Sequence, residues 1–229
     1  MPLLFTERAG GVSTGPYASL NLGGHVGDDP EAVATNRRRL TVRAGVPVHF
    51  TRQVHGARVL TFSAAGGWLR HPAPEADAMV TDIPGFGLGV LVADCVPVVF
   101  TAPGAAGVAH AGRAGLAAGV VPATVAALAA LGAEPGQLHA EVGPSVCGRC
   151  YEVPAAMRDD VAAAVPGTAS TTRAGTPALD LRAGVAAQLR AAGVTDITVS
   201  ERCTMEDPEL FSHRRDGART GRFAGVAWL

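Results

Sequence analysis

The strongest hydrophobic pattern lies between residues 78 and 109. Four short runs rich in valine, leucine and alanine follow one another there, separated by turn-forming residues, at 78–81, 87–92, 96–101 and 107–109. The runs are apolar throughout instead of alternating between apolar and polar positions, which is typical of strands that are covered on both faces. This part of the chain therefore predicts the centre of a buried sheet.

The best-defined helix begins at Asp29. An Asp N-cap, Pro30 at the first helical position and Glu31 in the first turn favour a helix start, and Gly45 is a typical helix end. The same kind of pattern predicts further helices at 115–131, 154–165 and 180–192, strands at 48–53, 58–62, 138–142, 194–200 and 221–229, and loops at 68–74 and 163–176.

The order of these elements indicates the fold class. Strands and helices mix without strict alternation, and neither an internal repeat nor a linker divides the chain. This favours an α+β fold with mixed β-sheets over a doubly wound fold. We expect a single domain that covers residues 1–229.

The composition narrows the possible functions. The 229 residues carry a formal net charge of −1, so the basic surplus of a nucleic-acid-binding protein is missing and no nucleic-acid partner is expected. The absence of lysine excludes Schiff-base chemistry and a phosphate-loop lysine. The longest apolar stretch is alanine-rich and interrupted by Pro122, so no membrane span is expected. Four cysteines without an export signal favour a cytoplasmic location.

Two histidines and one cysteine stand at the ends of apolar runs, where a sheet delivers side chains to a shared pocket. His55 precedes Gly56 at a predicted turn, and Cys95 and His110 each follow a predicted strand. Two imidazoles and a thiolate are a common ligand set for zinc, and three protein ligands leave a fourth position open for water or substrate. We therefore expect these three residues to bind Zn²⁺, with zinc favoured over copper.

The remaining cysteines are interpreted as structural. Cys147 and Cys150 form a C-x-x-C motif without a second pair, which disfavours a zinc ribbon, and the motif does not stand between a strand and a helix as a redox motif does. Cys203 and His213 have no further partner along the chain.

Several segments are candidates for binding an anion. Gly143 and Ser145 lie in a turn after a predicted strand, where exposed backbone amides can hold phosphate. Arg113 leads into the predicted helix at 115–131, and Ser13 lies in a short hydroxyl-rich segment near the start.

A series of ordered motifs resembles the family once called multicopper polyphenol oxidase or laccase-domain proteins, which is now described as purine nucleoside phosphorylases. The motifs extend over nearly the whole chain, so chance similarity is excluded. They are Gly11-Val12-Ser13-Thr14-Gly15, Asn36-Arg37, Gln53-Val54-His55-Gly56, Ala76-Asp77-Ala78, Ala93-Asp94-Cys95, Ala109-His110-Ala111-Gly112, Gly143-Pro144, Cys150-Tyr151-Glu152-Val153, Cys203-Thr204, Phe211-Ser212-His213-Arg214-Arg215-Asp216-Gly217 and Thr220-Gly221-Arg222.

The resemblance implies a four-layer α/β/β/α fold with mixed sheets and a catalytic zinc site formed by His55, Cys95 and His110. It adds Arg37 to the candidates for binding substrate or phosphate. One departure stands next to the site, because this chain has Arg113 and Ala114 where the family usually has a Trp-Arg pair. The guanidinium is therefore displaced by one position.

The resemblance also implies an activity: phosphorolysis of adenosine, inosine or methylthioadenosine, together with hydrolytic deamination of adenosine. The expected partners are thus a purine nucleoside and phosphate. Of the two carboxylates near the predicted ligands, Asp77 is favoured for catalysis and Asp94 for structure, because neighbours on a strand point to opposite faces. Two alternatives stay open. One is an amide hydrolase that edits peptidoglycan precursors and uses zinc or a Cys95–His110 pair, and the other is a non-catalytic domain with structural zinc.

Overall fold

The computed structural model of the protein describes residues 2–63 and 73–229. The strands are β1 (Leu3–Phe5), β2 (Val48–His49), β3 (Val59–Phe62), β4 (Ala78–Thr81), β5 (Gly87–Val92), β6 (Val96–Ala102), β7 (Ala105–Ala111), β8 (His139–Val142), β9 (Ala169–Thr171), β10 (Pro177–Leu179), β11 (Asp196–Val199) and β12 (Phe223–Ala227). The helices are α1 (Pro30–Ala44), α2 (Arg113–Ala117), α3 (Val120–Ala130), α4 (Ala155–Ala164), α5 (Leu181–Ala191) and α6 (His213–Asp216).

Two mixed sheets form the centre of the molecule. The larger one has the strand order β11-β8-β6-β7-β4-β3, with parallel pairs at both edges and antiparallel pairs between them. The smaller one has the order β1-β12-β5-β2, in which the β5–β2 pair is parallel. A short hairpin of β9 and β10 lies apart from both.

The alternation of side chains along the strands explains why the central runs are apolar throughout. Met79 and Val99 of the large sheet pack with Leu88 of the small one, so these residues lie between the two sheets. Their neighbours Val80 and Val98 point the opposite way and pack in the core that also contains residues of α2, α3 and α5. Both faces of these strands are therefore buried, as the sequence predicts.

The outer layers complete the arrangement. Helices α3 and α5 cover the free face of the large sheet. Leu40 of α1 packs with Leu91 of β5 and Val226 of β12 on the small sheet. The predicted α+β fold with α/β/β/α layers is thus confirmed.

Two helix starts follow the capping chemistry of the sequence. The Asp29 carboxylate accepts a hydrogen bond from the Glu31 amide, and Gly45 ends α1 with a φ of +74°. The Asp180 carboxylate caps α5 by accepting from the Ala183 amide. The N-cap predicted at Asp29 and the helix start predicted at residue 180 are both confirmed.

Three predicted elements differ from the structure. The helix expected at 115–131 is two helices, because Gly119 adopts a φ of +85° between α2 and α3. The loop expected at 163–176 contains β9, which pairs with β10. The strand expected at 48–53 ends at His49, after which the backbone leaves the small sheet. The loop predicted at 68–74 lies outside the described residues except for its last two positions.

Over the described ranges, no helix combines the length and the hydrophobicity that crossing a membrane requires.

Candidate active site

The three predicted metal ligands meet where the chain passes between the two sheets. Cys95 lies in the bend that joins β5 of the small sheet to β6 of the large one, His110 lies near the end of β7, and His55 lies in a turn before β3. One donor atom from each of the three residues lies within 4.8 Å of the others. The Cys95 Sγ to His55 Nε2 distance is 3.8 Å. The donors are close enough together to share one metal ion.

Asp77 holds His55 and His110 in place through hydrogen bonds. Its carboxylate is fully buried and accepts hydrogen bonds from the backbone amides of Val54, His55 and Gly56 at 3.1, 2.9 and 2.7 Å. It also accepts from Nδ1 of His110 at 2.9 Å, which leaves Nε2 of that ring free to serve as a ligand. Both carboxylate oxygens are engaged in this way. Asp77 is therefore placed to orient the ligands.

Strained backbone accompanies the site. His55 has a φ of +60° and Asp94 a φ of +91°, conformations that are uncommon outside glycine. The Asp77 contacts hold His55 in this conformation. The Asp94 carboxylate accepts from the hydroxyls of Thr204 and Ser212, at 2.6 and 2.7 Å. Asp94 therefore ties the Cys95 bend to the segment that carries α6, which agrees with the structural role expected for it.

Gly112 provides the space that the site needs. A Cβ atom at this position would lie 2.7 Å from Cδ2 of His55 and 3.2 Å from Sγ of Cys95. Any other residue would push the ligands apart.

The charges of Cys95 and His110 stabilise each other. Burial by itself would raise the pKa of the Cys95 thiol, but the adjacent His110 and His55 lower it to about 6. Burial would lower the pKa of His110, but Cys95 and the hydrogen bond to Asp77 raise it to about 9. Each group thus favours the charged form of the other, a thiolate beside an imidazolium. A thiolate is the form of cysteine that binds metal and attacks electrophiles.

All three ligand residues line a cavity of about 610 Å³. Three arginines also line it, Arg113, Arg214 and Arg222, so the cavity combines a site for a metal with a site for an anion. Arg113, which the sequence displaces by one position from the family pattern, thus still lines the cavity.

Ser13 and Arg37, which the sequence predicts to bind substrate or phosphate, lie outside the cavity. Ser13 is buried, donates to the Asp28 carboxylate at 2.6 Å and accepts from the Asn36 amide at 2.9 Å. Arg37 donates twice to the Leu22 carbonyl. Neither is among the residues that line the cavity. Both hold the N-terminal segment against α1.

Gly143 and Ser145 do not line the cavity either, although the next residue, Val146, does. The Gly143 amide donates to the Pro97 carbonyl at 2.8 Å, and a Cβ here would lie 2.2 Å from the Phe5 ring. This glycine therefore permits close packing and has no free amide for an anion. Ser145 is fully buried, and its hydroxyl has no hydrogen-bond partner among the residues that the structure describes.

Several cavity residues carry no chemical signal in the sequence. Arg214 and Arg222 belong to motifs of the family resemblance, but nothing in their spacing indicates that they meet Cys95. His25 lines the cavity as well, and burial together with the nearby Arg222 lowers its pKa. Only the tertiary fold brings these residues together. Motif membership was the one usable signal, and among these three residues it marks Arg214 and Arg222 but not His25. It also marks His213, which the sequence suggested to be structural and which the structure places in the cavity wall.

Comparisons with known proteins agree with this fold and site. A family model described as multi-copper polyphenol oxidoreductase laccase matches residues 2–229. A Streptomyces griseus protein named purine nucleoside phosphorylase is 54% identical over 98% of this chain and 93% of its own length. A Deinococcus radiodurans protein of the same name is 43% identical over 100% of this chain and 89% of its own length.

Solved structures are similar over the whole fold. YlmD from Geobacillus stearothermophilus has a TM-score of 0.88 at 36% identity, covering 98% of this chain and 90% of its own. The Neisseria meningitidis protein NMB0706 has a TM-score of 0.86 at 35% identity, covering 100% of this chain and 99% of its own. Sequence, fold and site agree, and the chain belongs to the multi-copper polyphenol oxidoreductase laccase family.

Proposed function

We propose that the protein is a zinc-dependent purine nucleoside phosphorylase, with residues 1–229 acting as one catalytic domain. The observation that carries the proposal is the joint presence of His55, Cys95, His110 and three arginines around one cavity. At about 610 Å³ the cavity has the size of a small-molecule site, large enough for a nucleoside and phosphate together. Relatives that carry the name purine nucleoside phosphorylase support the same activity.

The cavity wall suits both halves of such a substrate pair. The guanidinium groups of Arg113, Arg214 and Arg222 provide donors and positive charge for phosphate. Leu91 and Tyr151 provide flat or apolar surface for a purine base. Phosphate held beside the ribose can attack C1′, and the purine departs with the electron pair of the glycosidic bond.

The ligand set fits zinc. Two imidazoles and one thiolate form a borderline-soft set, and Asp77 orients one imidazole as carboxylates commonly do beside zinc. Zinc held by His55, Cys95 and His110 would supply a Lewis acid and lower the pKa of a bound water toward about 7. Such a site also supports hydrolytic deamination of adenosine. We therefore extend the proposal to adenosine, inosine and methylthioadenosine as phosphorolysis substrates and to adenosine as a deamination substrate.

Four unpaired thiols support a reducing compartment, and we propose that the reaction takes place in the cytoplasm.

Purine release tests the proposal. With phosphate, adenosine or inosine should yield free base and ribose 1-phosphate, and without phosphate adenosine should slowly yield inosine. A chelator should abolish both reactions and added zinc should restore them. If the zinc-loaded protein converts no nucleoside under either condition, the proposed function is wrong.

A second candidate is an amide hydrolase that uses Cys95 as nucleophile, with peptidoglycan precursors as substrates. The thiolate–imidazolium pair of Cys95 and His110 favours it, because cysteine hydrolases use such a pair. Amide hydrolysis that survives chelation but is lost on thiol alkylation would establish this function instead.

A further inference from the structure

A second cluster of metal-binding side chains lies outside the cavity. One donor atom from each of Cys147, Cys150, Cys203 and Glu206 lies within 4.8 Å of the others. None of these four residues lines the cavity of the first site. Cys147 and Cys203 are buried, Cys150 is partly exposed, and the Glu206 side chain is 43% exposed. The cluster therefore opens to solvent on one side, where an ion can enter.

The backbone arranges the four residues as two short turns that face each other. Cys147-Gly148-Arg149-Cys150 is a C-x-x-C turn, and Cys203-Thr204-Met205-Glu206 has the same spacing with glutamate in the last position. Each turn is closed by an internal hydrogen bond, from the Cys150 amide to the Cys147 carbonyl and from the Glu206 amide to the Cys203 carbonyl.

Backbone contacts also join the two turns. The Cys147 amide donates to Sγ of Cys203 at 3.3 Å, and Ser145 pairs with Cys203 in a parallel bridge. Paired C-x-x-C turns are the usual framework of structural zinc sites, and amides that donate to sulfur favour the thiolate. The lone C-x-x-C of the sequence therefore gains its second pair only in the fold.

We propose that Cys147, Cys150, Cys203 and Glu206 form a second zinc site with a structural role. Three sulfurs and one carboxylate oxygen supply four protein ligands, and a closed set of four protein ligands is typical of structural zinc. The first site differs, because it has only three protein ligands and leaves a fourth position open toward the cavity. The soft thiolates favour zinc over magnesium or calcium, which prefer oxygen.

The surrounding charges suit a thiolate-rich site. The Arg173 guanidinium contacts the Glu206 carboxylate and lies 3.6 Å from Sγ of Cys150. Its single positive charge offsets part of the surplus negative charge of three thiolates and a carboxylate around a divalent ion. Because the ion pair uses one oxygen of Glu206, the other remains for a metal.

The proposed site lies in direct connection with the first one. Thr204, the residue after Cys203, donates to the Asp94 carboxylate at 2.6 Å, and the Arg214 amide donates to the same carboxylate at 2.7 Å. Asp94 precedes Cys95, and Arg214 lines the cavity. Zinc at the second site would thus fasten the segment that presents Arg214 to the substrate.

Zinc content per chain tests the proposal. The full-length protein is saturated with zinc under reducing conditions, freed of excess metal and analysed for bound metal, with folding checked by circular dichroism. The wild type should retain two zinc ions per chain. Cys203→Ser and Cys95→Ser should each retain one, lost from different sites. If the wild type and Cys203→Ser retain the same number of zinc ions per chain, the second site is overturned.

The same series separates this inference from the first metal site. One ion in the wild type that disappears in Cys95→Ser alone supports the first site and overturns the second. If the wild type binds one ion and only Cys203→Ser loses it, the second site is supported and the first is overturned. With cobalt as probe, the thiolate-to-metal absorption should persist in Cys95→Ser, and its loss there would also overturn the second site.

A variant of the partly exposed ligand Glu206 tests the second site even if Cys203→Ser does not fold. Glu206→Ala removes one donor from a partly exposed position and should speed zinc loss to a chelator from the second site by about tenfold or more. Glu209→Ala is the matched control, because Glu209 is also an arginine-paired glutamate of the same segment but lies outside the cluster. Equal zinc loss in the two variants would remove Glu206 from the site and contradict the proposal.

Discussion

At the scale of single residues, the site depends on two buried carboxylates that hold its segments together through hydrogen bonds. Asp77 joins the turn at His55 to the ring of His110, and Asp94 joins the Cys95 bend to the segment of Ser212. The sequence predicts catalysis for Asp77. Its four hydrogen bonds favour a positioning role, since both oxygens are already occupied.

Asp77→Asn distinguishes these two roles. An amide accepts with one oxygen only and turns its NH₂ toward backbone donors, so the His55 turn and the His110 ring should lose their alignment. We expect zinc retention at the first site to fall about 10–100-fold, together with activity. Zinc affinity is measured by competition with a chelator, and Asp159→Asn serves as an exposed control. Unchanged zinc affinity with lost activity would instead assign Asp77 a direct catalytic role.

At the scale of elements, the positions of the buried strands could be predicted from the sequence, but the sheet to which each strand belongs could not. The strands β4 and β5 match their predicted limits, because burial on both faces leaves an uninterrupted apolar run. Nothing in those runs indicates that β5 leaves the large sheet for the small one, since both sheets bury similar side chains. The alanine-rich stretch at 115–131 lacks a polar face, so its pattern could not reveal the break at Gly119.

That break gives a prediction about stability. Gly119→Ala places a Cβ at a φ of +85°, which should lower the free energy of unfolding by about 1–2 kcal/mol. Urea denaturation measures the change. Gly136→Ala is the control, because this glycine has no positive φ and a Cβ there meets no atom within 4 Å. Equal stability of the two variants would show that residues 113–130 tolerate a continuous helix.

For the candidate site too, the sequence indicated the individual candidate ligands but not the residues that surround them. His55, Cys95 and His110 stand next to apolar runs or glycines, and the fold brings their donor atoms together. The arginines that complete the cavity come from segments far apart in sequence, and the partner of the C-x-x-C motif lies on another loop. Short-range patterns hold no information about such contacts.

At the scale of the whole molecule, ion pairs link helix α6 to the N-terminal segment of the protein. Asp216 contacts Arg215 through both oxygens and lies 3.5 Å from Arg8 in the N-terminal segment. Burial by itself would raise the pKa of Asp216, but the Arg215 guanidinium outweighs this and lowers it. The ion pair therefore stabilises the fold above the unfolded-state pKa of about 3.9, and this contribution is lost as the pH falls through the lower folded-state pKa.

Asp216→Asn should show this dependence on pH. We expect a loss of roughly 1–2 kcal/mol in the free energy of unfolding at pH 7. The difference from the wild type should shrink as the pH falls below the unfolded-state pKa of about 3.9, because the carboxylate takes up a proton first in the unfolded chain and then, at lower pH, in the folded protein. Urea denaturation over this pH range gives the comparison. A difference that stays constant across the range would show that Asp216 acts through its shape and not its charge.

The order of strands in the small sheet has a consequence for how the protein is made. Strand β12 lies between β1 and β5, yet it is the last of the twelve strands that the structure describes to leave the ribosome. Until then β1 has no neighbour and one edge of β5 stays open. Since β5 leads into the bend that holds Cys95, a nascent chain can pair the strands of the large sheet early, but it completes the wall behind this cysteine only after β12 has emerged.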